Sequence, residues 1–149
     1  PDFPTQRFTD RGVTVNVPRG WRKAVGGVYV DFTDPQDPGR RVRILSEPSR
    51  AESTRFMEIA ESGLRRAKTC AKPYARVQLR TGVTLVDRPA AELEYTCGAG
   101  EKMRHGVWRA VVSNGRAYSF YLTTPEHRFA ESRGIFEEMV RSFALTAAG

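Results

Sequence analysis

Two histidines and two cysteines are all that the 149 residues offer to soft metals or to nucleophile–base pairs. His105 and His127 stand apart from each other, and Cys70 and Cys97 form no CxxC pair, so the ligand spacing of a metal site is missing and none is expected. Without a cysteine or a well-placed serine near either histidine, nucleophilic catalysis has no triad to use. Lysine is scarce too: of 24 basic residues only four are Lys and twenty are Arg. No window approaches the roughly 18 apolar residues of a membrane span. There is no internal repeat, no low-complexity linker and no signal peptide. The chain opens at Pro1 rather than Met, which reads as a trimmed N-terminus whose targeting information is gone. No cofactor is expected.

What is present describes one globular domain spanning residues 1–149, with an ordered core over about 7–145. A chain of this length buries a real core without staples. The net charge of +7 is first a solvated Arg-rich surface and second an attraction for anions, such as acidic lipid surfaces or wall polymers. Nucleic acid is the less favoured partner, because aromatics are not interleaved with the Arg clusters as base-stacking platforms require. A bond between Cys70 and Cys97 would close a loop of about 28 residues and add on the order of 3 kcal/mol. It would also imply an oxidising compartment. The alternative is two unrelated buried thiols in a cytosolic protein.

Asn114-Gly115, set between two runs of apolar, β-branched and aromatic residues, is the strongest local signal in the chain. A type I′ turn needs positive φ at both central residues, which this pair tolerates. The register follows: Ser113 faces Arg116, Val111 faces Tyr118, Arg109 faces Phe120 and Trp108 faces Tyr121. Upstream, the segment Arg7 to Pro18 alternates at Val13, Val15 and Val17 and reads as one opening strand that ends at the Pro18-Arg19-Gly20 turn. Val28, Val30 and Phe32, then Val42 and Ile44, alternate as a hairpin around a loop of Asp, Pro and Gly. Ser49 and Glu52 fit a capping box for a helix over Glu52 to Lys68. Its apolar stripe is Phe56, Ile59, Ala60, Gly63, Leu64 and Ala67; Arg55, Glu58, Glu61 and Arg65 face outward.

Tyr74–Leu79 and Thr84–Val86 read as two strand pieces with a turn near Gly82. In Ala90–Cys97, Ala91, Leu93, Tyr95 and Cys97 share one face and Glu92 and Glu94 the other. Thr124 and Pro125 start a last helix as N-cap and N1, followed by Phe129, Phe136, Met139, Val140 and Phe143. Ala147–Gly149 reads as a frayed tail. Strands, helix, antiparallel strands, helix is an α+β order: a central antiparallel sheet of about six strands packed with two main helices.

Several residues invite a chemical reading, and each has a structural rival. Glu92 and Glu94 lie at i, i+2 on one strand face, where paired carboxylates serve acid/base work; the plainer role is to balance Arg109 or Arg104. Trp108 and Tyr121, ringed by Gly106, Ala110, Ala117 and Ser119, read first as core under a close helix. Their second reading is the aromatic floor of a ligand groove rimmed by Arg104. Arg109, on the opposite face among apolar neighbours, calls for a structural salt bridge or else serves as an anion hook. Arg40, Arg41 and Arg43 join Arg65, Arg66, Lys68 and Lys72 in a basic patch if the helix end lies beside that strand.

The motifs GVTVNVPRGW, YVDFTDP, RAYSFYLTTP and RSFAL, taken with the element order from Phe8 to Leu145, resemble the PsbP-like fold family. That family includes a photosystem II extrinsic protein, a Ran-binding import factor and secreted actinobacterial lipoproteins. The resemblance implies a non-enzymatic domain that binds a partner or scaffolds an assembly. Arg-rich members of this kind occur as extracytoplasmic domains of actinobacterial membrane proteins, sometimes joined to a kinase-like module. The expectation is therefore an extracytoplasmic, non-catalytic binding domain of a bacterial envelope protein. The alternatives are a small-molecule carrier or sensor using the aromatic cleft and, behind it, a hydrolase acting through Glu92, Glu94 or His105.

Overall fold

A computed structural model describes residues 2–146, which leaves Ala147–Gly149 outside the described residues. The first hairpin, β1 (Thr5–Asp10) and β2 (Val13–Pro18), turns at Arg11-Gly12, where φ is +57° and +80°. The segment read as one opening strand is therefore a complete hairpin. It pairs with the short β10 (Ala144–Leu145) in a three-stranded sheet. The remaining strands are β3 (Arg22–Val25), β4 (Tyr29–Thr33), β5 (Arg41–Pro48), β6 (Tyr74–Leu85), β7 (Arg88–Cys97), β8 (Arg104–Ser113) and β9 (Arg116–Pro125). They make one antiparallel seven-stranded sheet in the order β3-β4-β5-β9-β8-β7-β6. Helices α1 (Ser53–Arg66) and α2 (Glu126–Ser142) cover its two faces. This is the α+β architecture expected, with one strand more in the central sheet.

The β8–β9 hairpin has the register that Asn114-Gly115 dictates, including Trp108 opposite Tyr121. Three local expectations fail, each for a physical reason. The helix cap is Glu52, whose carboxylate accepts the Arg55 N–H at 3.1 Å, while Ser49 accepts from Ala51 in the turn before it. Thr124 and Pro125 remain in β9, because pairing with His105 and Arg104 holds them extended, and α2 begins one residue later. Residues 74–85 form a single strand with register shifts near Gln78 and Val83. Its turn is at Val86-Asp87, both at positive φ, and not at Gly82. A β-branched residue rarely accepts that conformation, so no sequence signal marks it.

The two faces carry separate cores. On one, α2 and the small sheet bury Phe120, Leu122, Phe129, Phe136, Met139 and Phe143 with the valines of β2, β4, β5 and β8. On the other, α1 packs Phe56 and Met57 on Ala91, Leu93, Ala110 and Ala117. Cys70, just past α1, is disulfide-bonded to Cys97 at the end of β7, with Cα atoms 5.1 Å apart. The staple fastens the segment leaving α1 to the sheet.

Candidate ligand groove

The apolar stripe of α1 does not all reach the core. Phe56 is buried, but Ile59 remains 52% exposed, and with Ala60, Gly63, Leu64 and Ala67 it walls a groove of about 360 Å³ between α1 and β5. The volume lies within the roughly 300–1,000 Å³ of small-ligand sites. A Cβ placed on Gly63 meets nothing within 4 Å, so the groove is open there. Trp108 and Tyr121 form its floor as an edge-to-face pair with centroids 5.4 Å apart. Small residues account for the space: Ala110 and Ala117 let α1 approach at one end, and the helix leaves the floor uncovered toward Tyr121. The Trp108 Nε1–H is buried without a protein acceptor, and the Ser119 hydroxyl, two pairs along the hairpin on the same face, is buried without a partner. Unpaired buried donors cost roughly 1–3 kcal/mol each.

Arg43 stands at the groove wall. Its guanidinium grips Asp31 through two hydrogen bonds of 2.7 and 2.9 Å and stacks 3.8 Å from the Tyr29 ring centroid and 5.7 Å from that of Tyr121. Those hydrogen bonds to Asp31 hold it above its ordinary pKa although burial works the other way. Burial pushes the Tyr121 phenol up, against the nearby charges of Arg41 and Arg43. It therefore stays a protonated donor at neutral pH.

The other residues singled out in the sequence do not all converge here. Arg104 lies on the groove side of the sheet, donating to the Gly39 carbonyl and to Thr123 Oγ1. Arg109 is on the opposite face, 2.8 Å from Glu92, whose other oxygen takes Arg80 at 3.2 Å. Strand alternation puts the sheet between Arg109 and the groove. Glu94 meets His105 at 2.6 Å and Arg133 at 2.8 Å. Burial pushes the Glu94 carboxyl up, but those two donors outweigh it and hold it low. His105 also contacts Glu126 at 3.0 Å and stacks on Phe129; His127 is exposed. Both glutamates thus sit in structural ion-pair networks.

The expected basic patch divides. Arg40 turns away to Asp34 and the ring of Trp21, beside a second hollow bounded by Pro18, Gln36 and Ile135. Arg41 and Arg43 remain at the groove end, Arg65 leans on Glu61 at 3.6 Å, and Arg66 is exposed. Glu61, placed outward by helical periodicity, is buried between Tyr74 and Arg76 of β6. The hydrogen bond from Arg76 is the main cause of its lowered pKa, with burial opposing and Tyr74 assisting. No local pattern announces that β6 folds back along α1. Among the described residues, no group of three or more His, Cys, Asp or Glu side chains converges to hold a metal ion.

Comparison with known proteins agrees with this architecture. Among solved structures, the chain is similar to the cyanobacterial PsbP (CyanoP) of Synechocystis, with a TM-score of 0.75 and 20% identity over 95% of this chain and 92% of that one. It is also similar to LpqN of Mycobacterium tuberculosis, a protein involved in cell envelope biogenesis, with a TM-score of 0.60 and 14% identity over 99% and 93% of the two chains. Such identities carry the fold, which is PsbP-like, and nothing finer. No curated protein matches in sequence. A family model does, from residue 6 to residue 145, and by that match across both helices and the whole central sheet the chain belongs to the serine/threonine kinase C-terminal domain family.

Proposed function

We propose that this domain is a non-catalytic binding module carried by a serine/threonine kinase outside the cytoplasmic membrane, where it takes up an envelope ligand or partner in the α1–β5 groove. The observation that carries the reading is the groove itself: an aromatic floor with an unpaired indole N–H, under a helix whose apolar stripe is partly bare. The titratable groups that suit acid/base chemistry, Glu92, Glu94 and His105, are engaged in ion pairs on the other face, which favours binding over catalysis. The Cys70–Cys97 bond supports an oxidising compartment. The envelope role of the structurally similar LpqN supports the same location, and the family match supports attachment to a kinase. Among the described residues no helix is long and apolar enough to cross a membrane.

The test uses the full-length kinase in intact cells. A cysteine placed at the exposed Val25 (Val25→Cys) is expected to react with a membrane-impermeant maleimide before lysis. Gly63→Leu fills the groove and gains helix propensity of about 1 kcal/mol. It is expected to uncouple kinase autophosphorylation from envelope-damaging treatments. Labelling only after lysis, or a Gly63→Leu kinase that responds like wild type, removes the reading.

A further inference from the structure

Two guanidiniums on the groove side have no carboxylate of their own. Arg41 begins β5 and Arg104 begins β8, at the end of the sheet where Cys97, the register partner of Arg104, anchors the segment leaving α1. Arg104 donates to two neutral acceptors, the Gly39 carbonyl and Thr123 Oγ1. Arg41 points one nitrogen at the Tyr121 hydroxyl, 3.5 Å away, and another toward Asp31 at 4.0 Å. Asp31 is already held by both forks of Arg43. The Arg41 Nε is buried with no partner at all. Asp37, the other acid in the vicinity, is bound by Arg128 at 2.8 Å. Arg41 and Arg43 therefore share one carboxylate, Asp31, and the acid whose charge reaches Arg104, Asp37, is itself held by Arg128. Burial, and next the charge of Arg41, hold Arg104 below its ordinary pKa.

Two phenols complete the arrangement. Tyr121 lies in the row of Arg43 and Trp108, and Tyr95 in the neighbouring row of Gly106, Thr123 and Arg41. The Tyr95 ring occupies the space a side chain at position 106 would take, since a Cβ there would lie 2.5 Å from its hydroxyl. Gly106 thus admits the ring. Burial pushes both phenols up, so they remain O–H donors. Like charges held together in a partly desolvated site are unfavourable until an anion joins them.

We propose that Arg41, Arg104, Tyr121 and Tyr95 form a phosphate-binding site at the end of the groove, and that the ligand bears a phosphate ester. Donors arriving from four strands suit a tetrahedral group with three or more acceptor oxygens better than a planar carboxylate with two. Guanidinium forks match phosphate oxygens. The Tyr121 ring belongs to the groove floor and its hydroxyl to this site, so a phosphate here extends into the groove. The inference rests on the binding reading above and names the chemistry of the ligand.

The experiment titrates the 149-residue chain with inorganic phosphate, and with chloride at equal ionic strength, following arginine Nε–Hε resonances by NMR. Saturable shifts at Arg41 and Arg104 with phosphate alone are expected. Arg41→Met/Arg104→Met is expected to weaken binding by about ten-fold or more, the loss typical of charge-assisted hydrogen bonds. Arg55→Met/Arg66→Met, an equal loss of charge on exposed parts of α1, keeps it. The wild-type titration decides the matter even where the double variant fails to fold, and Tyr121→Phe supplies a milder second variant. Vesicles of phosphatidylglycerol and of phosphatidylcholine separate the sources. Retention on the former alone, abolished by the double variant, assigns a lipid headgroup; saturable phosphate shifts without retention assign a soluble or polymer-borne ester. Equal shifts in chloride, or none at either arginine, overturn the site. That result would leave the maleimide and Gly63→Leu experiments to judge the binding module by themselves.

Discussion

The two faces of the seven-stranded sheet solve the same packing problem with different means. The α2 face is large and apolar, closed from above by the small sheet. Its buried and half-buried acids are answered: Glu92 by two arginines, Glu94 by His105 and Arg133, and Glu138 by Asn16 and Arg141. The α1 face is built on alanines and a disulfide, and it leaves a groove, unpaired donors on Trp108 and Ser119, and an unpaired Arg41 nitrogen. The α2 side pairs its acids and leaves the Ser132 hydroxyl and the Arg40 Nε unpartnered; the α1 side leaves the Trp108, Ser119 and Arg41 groups unpartnered and has an open groove beside them. On the proposed reading, stability and binding fall on opposite sides of one sheet, and a change on one side need not disturb the other.

That division is open to test. The largest effect is expected from Cys70→Ser/Cys97→Ser, which should lower unfolding free energy by about 3 kcal/mol. Amide exchange should show α1 losing protection before α2. Equal loss in both helices would mean the faces fold as one unit.

Acidification comes next. Glu94 and Glu138 titrate below their ordinary value of 4.5 in the folded chain. The unfolded chain therefore takes up protons first as pH falls. Their contribution is present above that value and is lost as pH drops through the lower native one. Urea midpoints against pH should show this decline, and Glu94→Gln should flatten it. An unchanged slope in that variant would show that the His105 network does not tie acid stability to the α2 face.

The smallest effect is expected from Trp108→Phe, which removes an unpaired donor and keeps an aromatic floor. Stability should move by less than about 1 kcal/mol. A larger loss would make Trp108 a core residue rather than a groove floor.

How much of this was legible in the sequence differs between the faces. Asn114-Gly115 dictated a register that the hairpin keeps pair by pair, because the turn conformation leaves no freedom. The valine alternations and the closing aromatic stripe placed the α2 core. On the α1 side, periodicity found the stripe but not its use, since Ile59 and Gly63 have the same spacing whether a helix face is covered or bare. Glu61 was misplaced because its partners, Tyr74 and Arg76, arrive from a strand whose turn rests on Val86 at positive φ. Arg41 and Arg104 were visible as charges. That they share one end of the sheet depends on β5 lying next to β9, a pairing that no single segment encodes.

The staple also decides how the groove can breathe. Cys70 follows α1 by only a few residues and is bonded to the strand end beside Arg104. A bulky occupant therefore cannot lift the helix off the sheet as a whole. The other end of α1 is held as well, since Ser53 donates to the Pro89 carbonyl at 2.9 Å and accepts from the Val112 N–H at 3.1 Å. With both ends fastened, the helix is a fixed lintel, and any occupant of the proposed site must fit the width left beside Ala60, Gly63 and Leu64.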